Sequence, residues 1–402
     1  MPPTRIVVVF VLGLVLLAGA AGFVSAARYG AGPRDASGLP QGALLEIAFV
    51  SNVVAGTVSL IDLDAREVLH EIDIKPDGAR VGFFRDPVQF FAQSALEGSG
   101  GLNYAQDTDL SRDGTVLYVS RGHLGDVAAF DIASGALLWR TPVAGIRADH
   151  MTISPDGRVL YVSALIRGGD VVELLDAASG ARLGSFATGL WPHDVHTNAD
   201  GSRVYAASLG DMQLDVEARG AAPNAYEVTV ASSDGSRILE RHRFEAGVRP
   251  FEVTRDERRL YAQLSSTHAV IAYDLEERTV VARNDLPVAA GVGEHDWDFE
   301  APHHGLALTP DERRLCLAGR ASDYAAIVEA DDLDLLATVP VGDAPSWAAL
   351  DASGELCILA NTRSDDVSIV SMRTFVELER LPVGRAPKHV TVGFVPAMVL
   401  LH

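Results

Sequence analysis

One fifteen-residue pattern, residues 149–163 (DHMTISPDGRVLYVS), limits what this chain can fold into more than any other feature. It recurs five more times, less strictly in some copies: residues 110–120 (LSRDGTVLYVS), 197–208 (TNADGSRVYAAS), 253–264 (VTRDERRLYAQL), 308–319 (LTPDERRLCLAG) and 350–360 (LDASGELCILA). Each copy reads as two strands around a tight turn. The turn residues Asp113, Asp156, Asp200, Asp256, Asp311 and Ser353 are spaced by 43, 44, 56, 55 and 42 residues. A period in that range, with four strands per unit, marks a β-propeller rather than a helical solenoid.

The third strand of a unit reads DVAAFDIASG (126–135), DVVELLDAASG (170–180) or DVSIVSMRTF (366–375), and the fourth follows as ALLWRTPV or ARLGSFAT. The first unit, with strands at 44–50, 57–63 and 67–74, lacks an innermost strand. Residues 389–394 (HVTVGF) at the far end supply it. The expected fold is therefore all-β: one seven-bladed β-propeller over residues 44–396, closed by pairing of the N- and C-terminal strands and followed by a tail at 397–402. Closure removes the free sheet edge that would otherwise aggregate.

Residues 1–27 read as an export helix. One positive charge precedes an apolar run at 6–24, and Val24-Ser25-Ala26-Ala27 offers the small residues of a cleavage site. The 19-residue run also reaches the length of a membrane anchor, so signal peptide and uncleaved anchor both stand. Residues 28–43, rich in Gly, Pro, Ala and Ser, form the linker. Either reading places the domain in the periplasm, outside the cell, or on the outer side of the cytoplasmic membrane. With 54 acidic against 33 basic residues the net charge is -21, which disfavours nucleic acid and anionic lipid surfaces. Membrane contact is expected only through the N-terminal segment. Cys316 and Cys357 lie in equivalent strands of neighbouring units, one residue out of phase. Facing sheets pack about 10 Å apart, so two buried free thiols are expected rather than a disulfide.

Three segments exceed the minimal unit: residues 76–106, 210–226 and 283–302. Propeller geometry sends all three to the face where the innermost strands begin, which marks that face as functional. His150, His193, His196, His303, His304 and His389 open inner strands at the same channel mouth. Imidazoles converging from several strands, with Asp107, Asp149 and Asp194 nearby, suit one transition-metal ion (Cu, Zn or Fe) or Ca. The alternative is that each imidazole is a hydrogen-bonding wedge at a strand start. A second set, Arg121, His123, Arg167, Arg320 and Arg363 in the loops between second and third strands, with His295 and Trp347, suits a small anionic ligand. Pairing with nearby aspartates is the competing use of these arginines. The segment 293–300 (GEHDWDFE) reads either as a lid carrying acid and base groups or as a solvated loop anchored by Trp297 and Phe299. No nucleophile elbow, Walker loop, dinucleotide-binding glycine pattern or haem-attachment motif is present.

The repeats GTVSLIDLDAREVLHEIDI, ISPDGRVLYVSA and NTRSDDVSIVSMRTFVELERLPVGRAPKHVTV resemble the YVTN-type (WD40-like) seven-bladed propeller family, which is similar to the lactonase and haem-d-binding nitrite reductase propellers. The resemblance covers nearly all of the chain after the linker. Its motifs are specific for fold, and members range from binding proteins to enzymes. A copper-binding methanethiol oxidase propeller looks distantly similar around His193 to Asp211. The Pro-His-Asp-Val-His and Pro-His-His-Gly motifs go beyond the single histidine usual in the pattern. The expected function is an exported cell-envelope propeller, in a binding or scaffold role, whose partner is a small anionic molecule or an envelope protein. A metal-dependent enzyme on the same face, lactonase-like or oxidative, is the alternative.

Overall fold

The computed structural model describes residues 42–166 and 170–400. The expected export segment, most of the linker and Arg167 lie outside the described residues. The rest is seven four-stranded antiparallel sheets, each built from consecutive strands except one. In that sheet the C-terminal strand Pro387–Pro396 takes the innermost place beside Leu44–Asn52, followed by Thr57–Asp62 and Glu67–Asp73. The pairing runs from Leu44 opposite Pro396 to Ser51 opposite His389. The closing strand is thus longer at both ends than the 389–394 expected.

Continuous apolar runs bury the middle strands on both faces, as in Leu117–Val119 and Val127–Phe130. The described residues form seven hydrophobic clusters, one between each pair of neighbouring sheets. The cluster between blades one and two, for example, packs Phe49, Leu60 and Ile74 against Leu117 and Phe130. Outer strands such as Arg182–Ala187 are largely exposed.

The repeated turns fold by local hydrogen bonding. Ser154 Oγ donates to Asp156 (2.6 Å), whose carboxylate accepts from Arg158 N (3.1 Å), and Gly157 sits at φ 75°. Two less strict copies place Glu257 and Glu312 at the same left-handed position, with φ of 55° and 59°. Each glutamate offsets the cost by reaching the preceding blade: Glu257 accepts from Asn198 Nδ2 (3.0 Å) and the Tyr205 hydroxyl, Glu312 from Arg255 N (2.7 Å).

The expectation of free thiols is overturned. Cys316 and Cys357 form a disulfide across blades six and seven, with Cα atoms 6.5 Å apart. Side chains alternate along a strand, so the one-residue offset turns one cysteine forward and the other back, until they face each other. Their wedge is narrow because its neighbours include Ala318, Ala325 and Ala348.

Candidate functional site

Aligning the seven inner strands by their structural register explains what meets on the axis. One layer contains Asp107, His150, Asp194, Pro250, Gly305, Trp347 and His389. The layer one residue earlier contains Gln106, Asp149, His193, Arg249, His304, Ser346 and Lys388. His150, His193, His304 and His389 converge in the centre, all less than a tenth exposed. The His150 ring lies 4.4 Å from His193 and 5.4 Å from His389, and stacks on Trp347 at 4.8 Å and 18°. Trp347 also touches His389, with ring centres 4.1 Å apart.

Asp107 ties this cluster together. Its Oδ2 is 3.1 Å from His150 Nδ1, and its Oδ1 is 2.9 Å from His389 Nδ1. One donor atom from each of the three lies within 4.8 Å of the other two, and all three residues are buried. Asp107 Oδ2 also accepts from Met151 N (2.8 Å), satisfying an inner-strand amide that faces the channel. Burial opposes ionisation of Asp107, yet the two imidazoles hold its carboxyl below the usual range. Burial likewise opposes charge on His150, but the hydrogen bond and charge of Asp107 outweigh it and raise that imidazole; for His389 burial wins and the ring is lowered.

Above this layer lies a cavity of about 620 Å³ on the elaborated face. Residues of all three long insertions reach it: Leu96 and Leu102, Met212 and Gln213, Asp298 and Phe299. The first insertion contains the helix Pro87–Gly100, N-capped by Asp86, whose Gln89 side chain donates to the carbonyls of His123 (3.2 Å) and Ile146 (3.0 Å). The second and third insertions are clamped together by Arg219, which makes two bonds to Glu300 (2.6 and 3.1 Å). His193 and His304 form the floor, with their Nε2 atoms 3.4 Å apart. His304 Nδ1 donates to the Ser346 carbonyl (2.8 Å), leaving Nε2 with its lone pair. Burial keeps both rings neutral, well below the ordinary imidazole value, and the nearby cations add to the effect.

Below the layer is a second cavity of about 410 Å³ with the opposite character, lined by Asp107, Asp109, Asp194, His196 and Glu252 together with apolar residues. Burial pushes Asp109 and Glu252 up to about 7. His196 pairs with Asp194 (3.1 Å); that carboxylate overcomes burial and raises the imidazole to about 9.

The structure brings together four of the six histidines expected at a metal. His196 faces the lower cavity. His303 points between blades five and six, where its Nε2 is 3.1 Å from His268 Nδ1. Of the expected anion-binding set, His123 and Arg320 line the upper cavity, and Trp347 lies in the central layer. Arg121 is fully buried in ion pairs with Asp126 and Asp77 (2.7 Å each). Arg363 and Arg320 both bond Asp298 (2.9 and 3.1 Å). His295 is 80% exposed beside Asp296. The 293–300 segment is therefore a wall of the mouth, its Asp298 and Glu300 engaged in ion pairs. Arg147, Arg249 and Lys388 were outside the expected set. Each lies at an inner-strand start, and reading those starts for any basic residue, rather than for histidine alone, finds them.

Fold and site define the class: a seven-bladed β-propeller with a buried histidine and aspartate cluster across its channel. No family model matches the chain, and no curated protein matches its sequence. Among solved structures, hydrazine synthase of Kuenenia stuttgartiensis is similar, with 19% identity and a TM-score of 0.62 over 80% of this chain and 91% of that one. That likeness supports the propeller fold alone.

Proposed function

We propose that this chain is an exported propeller that binds one transition-metal ion at Asp107, His150 and His389, in the middle of its channel, and a small ligand in the cavity above it. The observation that carries the reading is the convergence of three buried donors from three blades. Two imidazoles and one carboxylate suit iron, zinc or copper. His193 and His304 stand beside them with their Nε2 atoms facing each other, and the His304 bond to a backbone carbonyl is the usual support for a metal-ligating imidazole. The Cys316–Cys357 disulfide supports export, since such bonds persist in oxidising compartments.

The test is elemental analysis of untagged protein from its export compartment. About one equivalent of metal is expected in the wild type and in His196→Asn, and under a tenth of that in Asp107→Asn. A wild type that stays metal-free after incubation with iron, zinc and copper would refute the reading.

One feature favours a catalytic use of the same centre. Three protein ligands, rather than four, leave a position for water or substrate, as in catalytic rather than structural metal sites. Lactone hydrolysis or oxygen consumption that is abolished by Asp107→Asn and by chelation would support that second reading.

A further inference from the structure

The upper cavity is basic in a molecule that is strongly acidic. Four basic side chains line it, Arg147, Arg249, Arg320 and Lys388, against two carboxylates, Asp149 and Asp298. Arg249 and Arg320 are only 4% and 7% exposed. Burying a guanidinium is costly unless its donors are satisfied, yet the Nε atoms of Arg147, Arg249 and Arg320 have no hydrogen-bond partner. Arg249 keeps one bond, from Nη2 to the Phe299 carbonyl, and has no carboxylate partner among the described ion pairs. Lys388 is bonded to the amide oxygen of Gln106 (2.9 Å) rather than to a carboxylate. Elsewhere the chain pairs its buried arginines fully: Arg121 takes two aspartates and Arg219 takes Glu300. The mouth thus holds cationic donors in excess of the carboxylates beside them.

Alongside these donors the cavity presents Leu102, Leu165, Trp191, Leu209, Met212 and Phe299. Inorganic phosphate or sulfate would leave that apolar wall in contact with water. We propose that the upper cavity is a binding site for a small organic carboxylate with an apolar body, its carboxylate held by Arg249 with Lys388 and Arg320, and its body against the Phe299 side. Guanidinium binds carboxylate through paired donors, and Arg249 lines the cavity with no carboxylate competing for them among the described ion pairs. This deepens the proposed ligand role and does not require the metal.

The experiment is calorimetric titration of the full mature protein, both chelator-treated and metal-loaded, with benzoate, phenylacetate and octanoate, with the amide of each acid, and with inorganic phosphate. At least one acid is expected to bind ten times or more tighter than its amide and than phosphate, and to do so with or without metal. Arg249→Met and Lys388→Met, on different blades, should each weaken that acid at least tenfold, whereas His196→Asn should not. Equal affinity for acid and amide, no binding of any of the acids, or tighter binding of phosphate would overturn the proposal. The acid and amide comparison uses the wild type alone, so it holds even where a substitution prevents folding. A wild type that takes up no metal on incubation yet still prefers the acid removes the metal reading and leaves this one standing.

Discussion

His196 shows how a single residue's chemistry depends on which side of the channel layer it faces. It follows His193 by three positions, and the strand register shifts between Pro192 and Val195. Alternation along the strand sends His193 up to the basic cavity and His196 down to the acidic one. His193 is neutral there, whereas Asp194 keeps His196 charged. The stability consequence has a definite sign. The folded value of about 9 stands above the unfolded value of about 6.5, so this pair stabilises fully below pH 6.5 and its contribution is lost as pH rises through 9. The melting temperature of the wild type should therefore fall between pH 6.5 and 9 more steeply than that of His196→Asn. Parallel curves for the two proteins would show that the ion pair carries no such weight. The spacing of three in PHDVH is legible in the sequence as two imidazoles on opposite faces of a strand; the cavity that each one meets is set by the neighbouring blades.

At the scale of the element, turns, insertions and a cross-link each report a different amount through the sequence. The turns are written locally: the Asp or Ser immediately before the glycine or glutamate accepts from the amide two residues further on, so every copy could be located. The side on which the insertions emerge followed from strand order. Their contacts did not, because Arg219 and Glu300 are 81 residues apart and meet only when blades four and five are in place. The disulfide joins residues 41 apart in neighbouring blades, and the average sheet spacing misled because this wedge is filled by alanines. Closing a loop of that length stabilises by about 2–4 kcal/mol. Chemical unfolding with and without reductant should show a loss of that size, and the Cys316→Ser, Cys357→Ser double variant should become insensitive to reductant. A wild type indifferent to reductant would mean that the two thiols are not joined.

For the whole molecule the decisive element is the last strand. Pro387–Pro396 completes the first blade, contributes Lys388 to the upper cavity and brings His389 to Asp107. Ring closure and the central cluster therefore depend on the same segment. Truncation after Gly384 should expose the edge of Leu44–Asn52 and yield aggregated or expanded protein in size exclusion, with loss of any bound metal. A compact monomer of unchanged circular dichroism would contradict the closure argument.

The number of blades, the strand pattern, the closing strand and the side that insertions build up are all written in the order of residues along the chain. These follow from a short period of apolar and turn residues repeated along the chain, and from the rule that a sheet ring must not leave an edge. Which side chains meet on the axis follows from the folded ring alone. Neighbouring blades contribute axial residues some 40 positions apart or more, and a shift of one position moves a side chain from one channel layer to the next. Composition and spacing could nominate the histidines. Only the folded ring could separate His150, His193, His304 and His389 from His196 and His303, and gather Arg147, Arg249 and Lys388 above them.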